Sequence, residues 1–272
     1  MTAFARQTKT FKQRTALALA RHHDSRVVRR LVDLASSVSR SAANDSADFV
    51  HNGEARVLEI LATPAPVTVL DVGAHHGGWA LEVLARFPSA RLHCFEIEPR
   101  NCERLRAAVG SDPRVVVAGC GLADAPGAID VWYDPEHPDM TSAYSTWDTR
   151  ESITCEVTTG DEYLRSTRIE EVDFLKVDVE GADLAVLRGF GDALTEGRIG
   201  VIQFEFTMWA AVARTWLGDF HDLLEPKGFT IGKIFPCDVD FRPYAAEQEV
   251  FVRANYLAVH DSRQELIGRL RR

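Results

Sequence analysis

The chain has 272 residues, of which 46% are hydrophobic and 26% are charged, so it can bury a full core as one large domain. Its net charge of −9 argues against nucleic acid as the main partner, and no apolar run approaches the roughly 18 residues of a membrane span. Five cysteines without a Cys-x-x-Cys pair fit reduced thiols better than a disulfide framework, so we expect a cytoplasmic protein.

Residues 1–60 are predicted to be a helical extension in front of a main domain at 61–272. Apolar residues recur at helical spacing up to a polar break at 36–46, and a short helix is expected at 53–61. Residues 1–40 hold nine basic and two acidic residues, which leaves a charge of −16 on the rest. We interpret this basic segment as a lid over the site or a contact in a homo-oligomer. Organelle targeting, a solvated helix face and a surface for an anionic partner are the alternatives.

The strand and glycine-rich turn from Val67 to Gly78 are the centre of the predicted domain. The strand contains Val and Leu without alternation, which is typical of a strand covered on both faces in a parallel sheet. Gly73 lets a ligand approach the backbone, and the helix expected from Trp79 to Phe87 offers unpaired N–H groups. Ligands of open α/β sheets bind at the carboxyl ends of the strands. Asp71 places a carboxylate beside this turn.

The glycine spacing discriminates between nucleotide-like ligands. A dinucleotide fingerprint needs Gly-x-Gly-x-x-Gly, whereas Asp71 is followed here by Gly73 and Gly77. An acid two residues before the first glycine suits the charged amino-acid end of S-adenosylmethionine better than a pyrophosphate. Glu96 follows the next strand, 91–95, near the place where such folds put an acid for ribose hydroxyls. The alternatives are a turn without a ligand and a surface carboxylate.

Strands and helices alternate over the rest of the chain, which describes a doubly wound sheet. Further helices are expected at 99–109, 182–190 and 210–224. Further strands are expected at 115–118, 128–133, 153–158, 199–206, 229–235 and 250–259, besides one that begins at Val172. The polar stretch 134–151 is interpreted as a substrate or adenine-side loop, or as plain surface.

The strand from Val172 ends in two acids, Asp178 and Glu180, which point to one side if the backbone stays extended. Lys176 lies in the same apolar strand and needs a partner to be tolerated there. Carboxylates at this edge lie where α/β sheets carry ligand chemistry. The alternative is that Asp178 only orients the cofactor and Glu180 only caps the next helix. Glu205 is another acid near the end of the following strand.

Together these segments resemble the FkbM family of S-adenosylmethionine-dependent methyltransferases over roughly residues 50–260. The resemblance rests on Asp71-Val-Gly-Ala with Gly77, Phe95-Glu-Ile-Glu-Pro99 with Asn101, Leu175-Lys-Val-Asp-Val-Glu-Gly181 and Asn255-Tyr-Leu-Ala-Val259. It implies a class I methyltransferase (Rossmann-like) α/β fold with a doubly wound seven-stranded sheet, mostly parallel with an antiparallel last strand. It also implies methylation of a hydroxyl group on a sugar, polyketide or related natural product.

The residues that we expect to bind S-adenosylmethionine are Asp71, Gly73, Ala74, His75, Gly77, Glu96, Ile97, Gly121, Leu122 and Asp178. His75 departs from the family, which usually has asparagine there, and His76 follows it. Either histidine is an added acid/base group, or both only shape the cofactor turn, which we favour.

The expected reaction is in-line transfer of the sulfonium methyl to an alcohol oxygen. A positioned base contributes about 10²–10⁴ in rate. Asp178 and Glu180 are the candidate catalytic residues, either as the base or as ligands of Mg²⁺ that lowers the pKa of the alcohol. An NAD(P)-dependent oxidoreductase and a non-catalytic cofactor-binding protein are the alternatives. The missing Gly-x-Gly-x-x-Gly counts against the oxidoreductase.

Overall fold

The computed structural model describes residues 13–134, 137–145 and 151–271, and leaves the side chains of 134 and 137–140 aside. The chain divides into a first unit that ends at Asp45 and a second unit, Ser46–Arg272. The first unit contains α1 (residues 13–21) and α2 (Arg26–Ala42). The side-chain oxygen of Ser25 accepts a hydrogen bond from the Val28 N–H (3.2 Å) and caps α2. In the described ranges, no helix combines the length and apolarity needed to cross a bilayer.

Two expectations for the N-terminal region differ from the structure. The expected polar break at 36–46 is wrong in its first half, because α2 continues to Ala42. Serines on an exposed face do not interrupt a helix whose apolar period continues through Leu34 and Val38. The structure divides the chain after Asp45 and not after residue 60, because α3 (Glu54–Leu61) buries its apolar face in the core of the second unit.

The second unit alternates strands and helices as the sequence predicts. After α3 its first half contains β1 (Thr68–Val72), α4 (Gly78–Arg86), β2 (Arg91–Phe95), α5 (Pro99–Val109), β3 (Val115–Ala118), β4 (Gly121–Leu122), β5 (Gly127–Asp134), β6 (His137–Ser142), β7 (Glu151–Thr158) and α6 (Gly160–Thr167). Its second half contains β8 (Val172–Val177), α7 (Asp183–Arg188), α8 (Gly191–Thr195), β9 (Ile199–Phe206), α9 (Met208–Ala213), α10 (Leu217–Leu224), β10 (Phe229–Ile234), β11 (Val239–Asp240), β12 (Ala254–His260) and α11 (Glu265–Leu270).

The main sheet has the strand order β11-β10-β12-β9-β8-β1-β2-β3. The strands β9, β8, β1, β2 and β3 run parallel to one another. The last strand, β12, runs antiparallel to its two neighbours, β9 and β10. The predicted doubly wound, mostly parallel sheet with an antiparallel last strand is therefore confirmed, and the short β11 adds an eighth strand at the edge. Alternate side chains of β1 point to opposite faces of the sheet and belong to two separate hydrophobic core clusters. Leu70 and Val72 lie in one cluster, and Val69 lies in the other.

A second sheet of four strands has the order β4-β7-β5-β6. The predicted antiparallel pair is confirmed as β5 and β7, but residues 137–142 form a strand where we expected a loop. The helix expected at 210–224 is two helices, because Arg214 adopts a left-handed conformation (φ 58°) between them. The last strand begins at Ala254 and not at residue 250.

Candidate cofactor and active site

A cavity of about 210 Å³ lies at the carboxyl ends of β1, β2 and β8. This is the edge at which open α/β sheets bind their ligands. Eight of the residues expected in the site line it: Gly73, His75, Glu96, Ile97, Gly121, Leu122, Asp178 and Glu180. The expected residues Asp71, Ala74 and Gly77 are not part of its wall. Cofactor binding by any of these residues stays a prediction.

The turn after β1 needs glycine and brings the ends of two strands together. Gly73 has a φ of +85°, and a Cβ there would overlap the carbonyl group of Asp178 at the end of β8. Gly77 has a φ of +86° and precedes the first residue of α4. The Ala74 N–H donates to the Phe95 carbonyl (2.9 Å), which ties the turn to β2. Ala74 and Gly77 therefore shape the cavity without facing it.

Glu96 is buried at the end of β2 and is held by two backbone N–H groups. Its Oε2 accepts from the His75 N–H (2.8 Å) and its Oε1 from the Glu98 N–H (2.9 Å). Burial raises the pKa of Glu96 to about 7, against the lowering effect of both hydrogen bonds. Each carboxylate oxygen can accept a second hydrogen bond, so the ionised side chain suits a diol in the cavity. His75 (φ 50°) takes part through its backbone, which supports a shaping role for this residue.

Asp71 points away from the cavity. In β1 the side chains of Leu70 and Val72 lie on one face, so that of Asp71 lies on the other, in register with Lys176 on β8. It is fully buried, and its Oδ1 lies 3.9 Å from the Lys176 ammonium. Burial raises the pKa of Asp71 to about 6, while Lys176 acts to lower it. Asp71 is therefore not part of the cavity wall, and its role in binding the cofactor stays a prediction.

The backbone does not stay extended through the two predicted catalytic acids. β8 ends at Val177, and Glu180 (φ 49°) and Gly181 (φ 99°) form a left-handed turn, so the expectation that both acids point to one side of an extended strand is wrong. The Asp178 Oδ2 accepts a hydrogen bond from Lys176 Nζ (2.8 Å), which supplies the partner that Lys176 needs. The Ser142 hydroxyl donates to the Glu180 carbonyl (2.8 Å) and links the second sheet to this turn.

Two further carboxyl groups lie beside Glu180. Asp183 is buried and accepts from the Gly181 N–H through Oδ2 (3.2 Å) and from the Glu205 N–H through Oδ1 (3.4 Å). Arg253 Nε lies 3.7 Å from Glu205 Oε1. Glu205 was noted from the sequence as a further acid, but Asp183 was not, because its position resembles that of an ordinary acid in the first turn of a helix.

Desolvation, reinforced by the charge of Asp178, raises the pKa of Glu180, Asp183 and Glu205. It reaches about 7 for Glu180, about 8 for Asp183 and about 9 for Glu205. Arg253 lowers the pKa of Glu180 and Glu205, and a hydrogen bond from the Trp209 side chain also lowers that of Glu180. These three carboxyl groups can therefore bind and release protons near neutral pH.

Several wall residues were not among those expected. Asn101 was part of the family resemblance only, and Cys120 had no signal in the sequence. Thr141, Ser142 and Ala143 lie in the polar stretch that we interpreted as either a site loop or plain surface, and the structure places them on the wall. Within the described residues, no group of three or more His, Cys, Asp or Glu side chains is arranged to hold a metal ion.

The chain is similar to several known proteins. Residues 71–231 match the methyltransferase FkbM domain. The 2-O-methyltransferase NoeI of Sinorhizobium fredii (strain NBRC 101917 / NGR234) is 28% identical over 162 residues, which cover 53% of this chain and 65% of NoeI. The hexuronic acid methyltransferase AglP of Haloferax volcanii is 28% identical over 154 residues, which cover 56% of this chain and 62% of AglP. The chain thus spans less than two thirds of either relative. The cofactor-bound Rv0187 structure from MTB is 16% identical with a TM-score of 0.46, over 84% of this chain and 88% of Rv0187.

Proposed function

Because the chain belongs to the FkbM methyltransferase family, we propose that it transfers a methyl group from S-adenosylmethionine to a hydroxyl group of a small-molecule acceptor. The observation that carries this proposal is the shared wall of the cavity. It joins the glycine turn at Gly73 and the buried carboxyl of Glu96 to the acids Asp178 and Glu180. The same cavity can therefore hold a nucleoside and present a carboxylate to an alcohol.

The cavity residues fit S-adenosylmethionine. Glu96 can accept hydrogen bonds from the ribose hydroxyls, and Gly73 lets the ends of β1 and β8 approach each other closely beside it. Asp178 offers a carboxylate to a cationic ligand, and this carboxylate is fixed by its hydrogen bond from Lys176 Nζ. When bound, S-adenosylmethionine supplies the methyl group on a sulfonium centre. The protein then supplies orientation, exclusion of water and removal of the hydroxyl proton.

The two candidate catalytic residues suit different roles. Asp178 accepts a charge-assisted hydrogen bond from the Lys176 ammonium, which holds its carboxylate in a fixed orientation. Glu180 has its pKa raised to about 7, near the value at which a general base is most effective at neutral pH. We therefore assign proton removal to Glu180 and orientation of the cofactor to Asp178. Mg²⁺ bound by Asp178 and Glu180 is the second route, which the Lys176 ammonium disfavours.

The test compares Glu180→Gln and Asp178→Asn, with Glu171→Gln as the control at an exposed acid. Methyl transfer is measured over a panel of glycosides and polyketide alcohols, and cofactor binding by calorimetry. Glu180→Gln should lower turnover by about 10²–10⁴ with little change in cofactor affinity. Asp178→Asn should mainly weaken S-adenosylmethionine binding.

Near-normal turnover of Glu180→Gln would contradict the assignment of the base. Loss of activity with a chelator and its recovery with magnesium would show the metal route instead. Binding of NAD in place of S-adenosylmethionine would support the oxidoreductase alternative.

A cytoplasmic location, a homo-oligomer and the absence of a nucleic-acid partner stay predictions. All five cysteines are free thiols, which supports a reducing compartment. The net charge of −9 supports the absence of nucleic acid. Sedimentation of the purified protein tests the oligomer.

A further inference from the structure

Glu180 has a backbone conformation that a residue with a side chain rarely adopts. Its φ of 49° lies in the left-handed region, which costs a non-glycine residue free energy and persists only where the surrounding contacts impose it. A right-handed or extended backbone at this position would turn the Glu180 side chain in another direction. The contacts that keep the left-handed conformation therefore decide where the candidate base points.

The peptide group between Glu180 and Gly181 is held from two sides. The Ser142 hydroxyl donates to the Glu180 carbonyl (2.8 Å), and the Gly181 N–H donates to Asp183 Oδ2 (3.2 Å). The C=O and N–H of a trans peptide point in opposite directions, so the two hydrogen bonds hold this group from opposite sides. A Cβ on Gly181 would come within 2.8 Å of the Trp209 carbonyl oxygen, so the turn also packs closely on the start of α9.

Ser142 belongs to the second sheet and lies 38 residues before Glu180 in the chain. It is the last residue of β6 and pairs with Trp132 on β5, which pairs in turn with β7 over residues 127–133. Ser142 is 2% exposed, and its hydroxyl oxygen also accepts a hydrogen bond from the Tyr144 N–H (3.1 Å). The second sheet therefore fixes the position of this hydroxyl.

The hydroxyl of Ser142 has no hydrogen left for a ligand. A hydroxyl group carries one hydrogen, and a carbonyl oxygen can only accept, so the hydrogen of Ser142 is used by the Glu180 carbonyl. Ser142 lines the cavity, but towards a bound molecule it can act only as an acceptor. Its donated hydrogen acts on the reaction only through the turn at Glu180.

We propose that Ser142 is a positioning residue for methyl transfer, because its hydroxyl keeps the Glu180 turn left-handed and so directs the Glu180 carboxylate at the acceptor hydroxyl. This inference rests on the proposed function, in which Glu180 removes the proton. A general base must lie within hydrogen-bond reach of the proton that it removes, and a displacement of about 1 Å can cost about 10² in rate. The second sheet then contributes to catalysis as well as to the cavity wall.

Hydrogen exchange of the Gly181 N–H tests the turn without cofactor or acceptor. The exchange rate is measured by NMR in the full chain labelled with ¹⁵N-glycine. Ser142→Ala should raise this rate about tenfold, because the freed peptide group can leave Asp183, and one hydrogen bond corresponds to about that factor. Thr154→Ala is the matched control, since it removes a hydroxyl that donates to Asp130 (2.8 Å) in the same sheet. It should leave the rate unchanged.

Turnover with an acceptor from the panel above tests the consequence for catalysis. Ser142→Ala should lower kcat by about tenfold to a hundredfold, with KM and the affinity for S-adenosylhomocysteine unchanged. In the Glu180→Gln background the same change should alter kcat by less than about twofold, because no base remains to be positioned. Thr154→Ala should change neither parameter. If Ser142→Ala does not fold, Ser142→Cys, whose thiol is a weak donor, takes its place under the same criteria.

Unchanged exchange at Gly181 in Ser142→Ala would overturn the role of Ser142 in the turn. An unchanged kcat, or the same loss of kcat with and without Glu180→Gln, would show that the hydroxyl only supports the fold. A change confined to KM or to cofactor affinity would show a direct contact with a ligand instead. All of these results leave methyl transfer intact. Normal turnover of Glu180→Gln would refute the base assignment and this inference together, and failure to bind S-adenosylmethionine would refute the proposed function itself.

Discussion

Lys176→Met removes a buried ammonium while keeping most of the side-chain volume. Lys176 is 6% exposed, and it lies between the fully buried Asp71 (3.9 Å) and Asp178 (2.8 Å). Loss of one partner from a buried ion pair typically costs about 3–5 kcal/mol, because the remaining charge stays without compensation. We therefore expect Lys176→Met to lower the free energy of unfolding of the second unit by about 3–5 kcal/mol at pH 8.

The loss should be smaller at pH 5. The pKa of Asp71 is raised to about 6 by burial even though Lys176 acts to lower it, so it rises further in the variant. Below that pKa Asp71 is neutral and needs no ammonium. As the pH rises above the pKa of an Asp residue in the unfolded chain, the folded variant must either keep Asp71 protonated or bury its unpaired carboxylate. The unfolded chain needs neither, so the free energy of unfolding of the variant falls as pH rises.

Urea unfolding at pH 5 and pH 8, followed by tryptophan fluorescence, measures this difference. All five tryptophans lie in the second unit, so the signal reports on the correct part of the chain. Asp71→Asn added to Lys176→Met should recover part of the loss at pH 8, and Lys227→Met should stay within about 0.5 kcal/mol of the parent. A loss below about 1 kcal/mol at pH 8, or an equal loss at both pH values, would refute the reasoning.

The remaining predictions concern the cofactor, the pH dependence and the first unit. Glu96→Ala should weaken S-adenosylmethionine binding by about 1.5–3 kcal/mol in calorimetry, and an unchanged affinity would remove its ribose role. Glu180, Asp183 and Glu205 have pKa values raised to about 7, 8 and 9, so the folded cofactor-free protein binds protons that the unfolded chain releases. Its free energy of unfolding should therefore fall as pH rises from about 5 to 9, and a melting temperature that does not change over this range would contradict these shifts. A chain that starts at Ser46 should keep its fold and its cofactor binding but lose methylation of the acceptor. Full turnover by this shortened chain would contradict the interpretation of residues 1–40 as a lid over the site.

The sequence by itself determined the doubly wound, mostly parallel sheet and the sheet edge at which the candidate site lies. The bounds predicted for β2, α5, β3 and β9 agree with the structure, because apolar runs, prolines and glycines act over short distances along the chain. The Asp-x-Gly turn and the acids after β2 and β8 indicated the cavity edge for the same reason, since the carboxyl ends of parallel strands meet at one edge of a sheet.

Only the tertiary structure decided which of these acids face the cavity and what surrounds them. Side-chain alternation turned Asp71 to the face opposite Val72. The left-handed turn at Glu180 ends the extended backbone after β8, while Asp178 and Glu180 both line the cavity. Three contacts join residues that are far apart in the chain: the Glu205 N–H donates to the Asp183 carboxylate, the Ser142 hydroxyl donates to the Glu180 carbonyl, and Trp216 packs on Phe251. Proton affinities at the site depend on burial and on such neighbours, and no local pattern in the sequence records either.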